Sequence, residues 1–243
     1  MDTIKFDHSG SHVRMIAHQG IHHLETGNTC AGFVAAGNRS YYGIETDVHV
    51  TADGQYVILH DDNTLRTTGE DHIIEQTDFD LLRRLTQYDM NGEAPKRCDL
   101  TIPTLREYTR ICRKYEKVSV LELKNHMEPV HVAGVVNTIR SEGWLENTIF
   151  ISFDHANLVE LRRLLPKARL MYLTIEAIDE AMLEKLLPWQ LELDARYFSL
   201  TKENIALMHA HGVEVNCWNL DDPVLADQLI GWGVDYITTN ILE

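Results

Sequence analysis

The 243-residue chain has no run of 18 consecutive apolar residues, so a transmembrane helix is not expected. Its opening stretch, MDTIKFDHSGSHVRM, lacks the apolar core of a signal peptide. Cysteine is scarce. Cys30, Cys98, Cys112 and Cys217 are scattered without a C-x-x-C pair, which argues against a zinc site or a disulfide framework. It fits reduced thiols in a cytoplasmic protein. Basic residues are also few, with 22 Lys and Arg against 37 Asp and Glu and a formal net charge of −15. Nucleic acid and anionic membranes attract the opposite balance, so neither is expected as a partner. A small anionic substrate is still allowed, because one metal ion or one placed Lys can reverse a local field. No low-complexity segment or Pro/Gly-rich linker divides the chain. Its length suits a single domain over residues 1–243.

What recurs is a short apolar run followed by a helical pattern. Eight candidate strands appear: HVRMIAH ending at His18, YGIETDV ending near Val48, VSVLELK at 118–124, TIFISFD at 148–154, RLMYLT at 169–174, ARYFSL at 195–200, VEVNCWNL at 213–220 and VDYITTN at 234–240. Between them lie helix signals. Asp154, Asp179, Thr201 and Asp222 stand where an N-cap is needed, Pro223 suits a first helical position, and Pro166 and Gly212 suit stops. Strands alternating with helices mean a parallel sheet. Eight such units predict an α/β fold, a (β/α)8 TIM barrel. A doubly wound sheet is the alternative, but no G-x-G-x-x-G follows the first strand. Residues 49–102 break the rhythm and read as a small insertion after the second strand. The chain ends just after the eighth strand, so its closing helix is expected to be short or absent.

Successive side chains on a strand face opposite ways, so Glu45, Asp47 and His49 share one face of the second strand. Glu122 and Lys124 share one face of the third. In such a barrel the C-terminal strand ends gather the active site. That brings His18 and Gln19 from strand 1, the carboxylates from strands 2 and 3, His60 from the insertion and Trp218 from strand 7. Three converging carboxylates repel unless a cation sits among them. Hard, oxygen-seeking Mg²⁺ or Ca²⁺ suits this set, with Mn²⁺ tolerated. Two flanking histidines can serve as general acid and base, and Lys124 can neutralise an anion such as a phosphoryl group.

The motifs AHQG at 17–20, NT at 28–29, GIETDVHVTADGQYVILHDDNTLRTTG at 43–69, IPTL at 102–105, LELK at 121–124, ISFD at 151–154, NCWNLDDP at 216–223 and ITTN at 237–240 together resemble the glycerophosphodiester phosphodiesterase family. The resemblance implies metal-dependent cleavage of a small-molecule glycerophosphodiester to glycerol 3-phosphate and an alcohol. By motif position, Glu45, Asp47 and Glu122 are similar to the family's metal ligands. His18 and His60 match its acid/base pair, Lys124 its phosphate-binding lysine, and Trp218 and Phe153 aromatics near the substrate pocket. Two positions depart from the family pattern. The usual H-R-G is here His18-Gln19-Gly20, and the usual P-E-N-T is Thr26-Gly27-Asn28-Thr29. Gln19 in place of Arg removes a planar bidentate cation, which weakens the expected grip on phosphate.

Each residue has a plainer reading too. Glu45 and Asp47 can be paired interior charges, Lys124 a bridge to Glu122 or Glu45, Gln19 a loop residue, and Phe153 and Trp218 core. His49 lies beyond the expected strand end and reads as solvent-exposed or as support for the site. Two other functions stay open. One is a lyase-type phospholipase that stops at a cyclic phosphate, which would want an exposed apolar patch not evident in the sequence. The other is a non-catalytic binding barrel. Head group, choice of metal, the roles of the two histidines and oligomeric state are left open by the sequence.

Overall fold

Parallel neighbours need a crossover between them, and helices supply it here. The structure, a computed structural model, describes residues 2–5, 7, 8, 10–90 and 96–243; residues 91–95 of the expected insertion lie outside the described residues. The strands are β1 (Arg14–Ala17), β2 (Gly43–Val50), β3 (Tyr56–Ile58), β4 (Thr86–Tyr88), β5 (Lys96–Thr101), β6 (Val118–Leu123), β7 (Thr148–Ser152), β8 (Arg169–Thr174), β9 (Glu192–Arg196), β10 (Val215–Trp218) and β11 (Tyr236–Thr239). Eight of them run in parallel order β1-β11-β10-β9-β8-β7-β6-β2, and pairing of β1 with β2 closes the ring. This is the expected (β/α)8 barrel. Strand β3 adds antiparallel to the far end of β2, with Val48 opposite Ile58.

The helix ends carry the chemistry that their sequences promise. Asp154, Asp179 and Asp222 each accept two first-turn N–H groups. Thr201 and Thr104 close capping boxes. Among the described residues the insertion holds β3, the antiparallel pair β4 and β5, and three short helical turns, over its own apolar cluster of Val57, Leu59, Ile74, Leu82, Leu85 and Ile102. It begins at Thr51 rather than residue 49, because pairing with β3 extends β2 to Val50. Among the described residues no helix follows β11. Glu243 instead accepts hydrogen bonds from Thr3 and Ser40.

One strand is displaced from its sequence position. The sixth barrel strand runs over Glu192–Arg196, not 195–200, and Tyr197–Ser199 is a 3₁₀ turn. Its outward residues Leu193 and Ala195 are buried against the helices, while Glu192, Asp194 and Arg196 alternate with them. The polar alternation hides the strand, and the apolar Tyr197 and Phe198 beyond it imitate one.

Two apolar layers lock the barrel. Ile44, Val48, Leu121, Leu123 and Phe150 face the helices. Ile16, Val120, Ile149, Met171 and Tyr236 fill the inside below the site, so the barrel is packed and not a pore. Buried Tyr108, on the helix Leu105–Lys114, donates to the Ile44 carbonyl at 2.7 Å and ties that helix to β2 one residue before Glu45. Tyr108→Phe removes that bond while the β2–β6 ladder runs on past Ile44, and should lower stability by about 0.5–1.5 kcal/mol. The check is a fall in urea midpoint at unchanged slope; a wild-type midpoint would show that the bond contributes nothing.

Candidate active site

Register builds the site before any side chain does. β2 and β6 pair with Asp47 opposite Glu122, and Glu45 sits two residues back on the same face as Asp47. The three carboxylates each offer an oxygen within 4.8 Å of the others, and all three are buried. Burial, then the charge of Asp47, holds Glu45 well above the usual carboxylate range. Burial and Asp47 push Glu122 up to about 8 against the opposing pull of Lys124. Lys124 Nζ lies 2.9 Å from Glu122 Oε1 and 3.5 Å from Asp47 Oδ1. Burial pulls its ammonium down, yet Asp47 and Glu122 outweigh that and hold it above its ordinary value. Asp47 Oδ1 is buried without a hydrogen bond. One ammonium cannot satisfy three carboxylates, and an all-oxygen set of this size fits a hard divalent cation.

Two residues of the loop after β1 steady this cluster. Asn28 Nδ2 donates to Asp47 Oδ2 at 2.7 Å, and Thr46 Oγ1 donates back to Asn28 Oδ1 at 2.7 Å. The Gln19 backbone N–H donates to Glu45 Oε2 at 3.0 Å. Gly20 has φ +75°, and a Cβ there would meet the Gly32 carbonyl carbon at 2.7 Å and Phe33 N at 2.8 Å. The loop therefore packs against the helix Cys30–Gly37 only because residue 20 is glycine.

His18 and His60 reach the same cavity as the carboxylates. His18 is oriented through a chain. Asp221 accepts from the Asn240 backbone N–H and Nδ2, both at 2.7 Å. That turns Asn240 Oδ1 toward His18 Nδ1 at 2.7 Å. Nδ1 must then carry the proton and Nε2 the lone pair, which lies 3.9 Å from Glu45 Oε2 and 3.3 Å from Asn219 Nδ2 on the same cavity wall. Burial holds His18 below its ordinary 6.5, opposed by the Asn240 bond. His60 Nδ1 pairs with Asp61 Oδ1 at 2.9 Å, and Arg66 grips Asp61 with two nitrogens at 2.6 and 2.9 Å.

Phe153 and Trp218 stand edge to face, 5.8 Å between centroids, on the cavity wall. Phe153, Ile175 and Phe198 are 44%, 61% and 66% exposed on the segments just after β7, β8 and β9. Strand ends therefore do carry exposed apolar side chains, which sequence reading did not see. His49 departs from expectation too. It lies inside β2, is fully buried, and neither ring nitrogen has a hydrogen bond. It is therefore neither solvent-exposed nor beyond the strand. The Gln19 side chain, with His22, Arg66 and Tyr88, lines a second cavity of about 680 Å³ that shares His60 with the first, of about 490 Å³. Sequence reading quoted Asn28, Asp221 and Asn240 within motifs but gave them no role. Asp194, buried in the first cavity, was missed because its strand was misplaced.

Fold and site together define an enzyme of the TIM-barrel kind, its polar groups collected at the strand ends. Comparison with known proteins narrows this. Residues 18–243 match the profile described as the Glycerophosphoryl diester phosphodiesterase family, and the chain belongs to that family. A Caldanaerobacter subterraneus protein named glycerophosphodiester phosphodiesterase is 26% identical over 235 residues, covering 93% of each chain. An Oleispira antarctica phosphodiesterase, solved in complex with the product sn-glycerol-3-phosphate, is 27% identical with a TM-score of 0.83, over 93% of this chain and 92% of that one. A Parabacteroides distasonis glycerophosphodiester phosphodiesterase is 27% identical with a TM-score of 0.78, over 95% and 93%. No helix among the described residues is long and apolar enough to cross a membrane.

Asn28 gives the site its first test. Asn28→Ala frees Asp47 Oδ2 and should weaken divalent-ion binding about 10- to 100-fold, the usual effect of losing a ligand's supporting bond. Calorimetric titration with Mg²⁺ or Mn²⁺ measures it; unchanged affinity would mean that Asn28 does not position the carboxylate.

Proposed function

We propose that this protein hydrolyses glycerophosphodiesters to glycerol 3-phosphate and an alcohol. The observation that carries the reading is one cavity holding three buried carboxylates and two independently oriented histidines. The family match and the product-bound relative support it. Glu45, Asp47 and Glu122 would hold a divalent cation, Mg²⁺, Ca²⁺ or Mn²⁺. When bound, it supplies Lewis-acid stabilisation of the negative charge that builds on the phosphoryl oxygens. Lys124 balances the charge of the cluster and adds to that field.

His18 is the general base in this reading. Its Nε2 lone pair faces the cavity, and its Nδ1 proton is fixed by Asn240, so it removes a proton from the attacking oxygen. His60 is the general acid. It stands on the boundary of both cavities, where its ring is oriented by Asp61 and delivers a proton to the departing alkoxide. The glycerol phosphate then occupies the first cavity. The alcohol leaves through the second, beside Gln19, His22 and Arg66. The exposed Phe153, Ile175 and Phe198 favour a second reading, in which the diester carries an acyl chain lying along the rim. Product analysis distinguishes hydrolysis from a lyase that stops at the cyclic phosphate.

The reading is tested by coupled assay of glycerol 3-phosphate released from choline, ethanolamine, inositol and glycerol diesters, each with Mg²⁺, Ca²⁺, Mn²⁺ or EDTA. Release that EDTA abolishes is expected; no release from any diester, with ion demonstrably bound, would refute it. On the most active diester the acid limb gives a sharper check. A base must be unprotonated, and burial holds His18 below 6.5. At saturating ion, kcat/KM should stay level down to pH 6.5 and fall below it. Asn240→Leu should lower kcat about 10- to 100-fold. An acid limb centred above 6.5 would contradict the assignment of His18.

A further inference from the structure

Across the barrel from the carboxylates, three adjacent strands carry a second polar array that the reading above leaves idle. In the closed ring of eight, β9 stands four places from β2, so Asp194 enters the cavity from the wall opposite Glu45 and Asp47. Asn216 on β10 donates through Nδ2 to Asp194 Oδ1 at 2.7 Å and to Thr238 Oγ1 on β11 at 3.0 Å. The ladder fixes how the Asp194 carboxyl is turned. Its Oδ2 takes no hydrogen bond among the described residues, though Asp194 is buried and its cavity neighbours include Leu173 and Ile151. Among the described residues no cation pairs with it. Burial raises the carboxyl to about 8, offset only by the Asn216 bond, so near neutrality it can both donate and accept.

A buried carboxyl with an unspent oxygen, inside a ligand cavity, lacks a partner that the ligand can supply. The cavity is sided. Its β2–β6 wall suits a phosphoryl group, Phe153 and Trp218 flank it, and its β9–β11 wall offers hydrogen bonds. We infer that Asp194, oriented by Asn216, reads the free hydroxyls of the glycerol moiety and makes the site selective for glycerol over deoxy alcohols. This rests on the phosphodiesterase reading. A site built to bond a hydroxyl rejects the analogue that lacks it, because the buried polar group is then left unpaired.

The test compares kcat/KM for glycerophosphocholine with that for 3-hydroxypropyl phosphocholine, which lacks the central hydroxyl. Wild type should prefer the glycerol diester by about 10-fold or more. Asp194→Leu should bring that preference to within about 2-fold, chiefly by loss on the glycerol diester. Asp194→Asn keeps a donor toward the cavity and should restore most of the preference. Asn216→Ala frees the carboxyl to turn, should lower the same preference by a smaller factor, and serves if Asp194→Leu does not fold. Calorimetry adds a readout apart from turnover: Asp194→Leu should weaken glycerol 3-phosphate and leave inorganic phosphate unchanged. Wild-type turnover with the same preference in the Leu variant, or equal loss on both substrates, would overturn the role of Asp194 alone. If choline is not the accepted head group, the same pair is made with the one that is; a wild type that turns over none of the choline, ethanolamine, inositol and glycerol diesters would overturn this inference and the phosphodiesterase reading together.

Discussion

Three carboxylates held within 4.8 Å inside a protein repel one another, and the site is organised around that repulsion. Desolvation and mutual charge both work against their ionised forms, which is why Glu45 and Glu122 are displaced upward. The barrel imposes the crowding through the parallel register that sets Asp47 beside Glu122. Lys124, Asn28 and the Gln19 backbone N–H offset part of it. The remainder is what a divalent ion would relieve. An arrangement this costly to the free protein makes sense as a binding site, since a buried charge cluster seldom adds net stability.

Around that centre the polar groups are turned by neighbouring side chains. Asp221 sets Asn240, Asn240 sets the tautomer of His18, and Arg66 with Asp61 sets His60. The two histidines therefore differ in setting: one is largely enclosed, with Nε2 toward Glu45 and Asn219, and the other stands half exposed between two cavities. Such asymmetry suits one base and one acid. Gln19 has its backbone on a carboxylate and its side chain in the second cavity, so its backbone serves the cluster whatever its side chain meets.

Much of this was legible in the sequence because strand periodicity is two. Glu45 with Asp47 and Glu122 with Lys124 declare shared faces, and Asp154, Asp179, Thr201 and Asp222 declare helix starts. The failures have physical causes. β9 escaped because its inward residues are polar, and with it went Asp194. His49 was placed outside because nothing in the sequence announces that β3 folds back to lengthen β2. The roles of Asn28, Asp221 and Asn240 depend on contacts between residues up to 222 positions apart, which no local pattern carries.

The central claim is that the carboxylate cluster is built for a divalent cation, and thermal unfolding tests it most directly. An ion at about 100 times its Kd adds about 2.7 kcal/mol, which for a chain of this size is a rise of about 5–10 °C in Tm. Wild type should show that rise on adding Mg²⁺, Ca²⁺ or Mn²⁺ and lose it to EDTA. Glu45→Gln, which removes one repelling charge, should show no ion-dependent rise. A wild-type Tm indifferent to all three ions, or a rise of equal size in Glu45→Gln, would contradict the account.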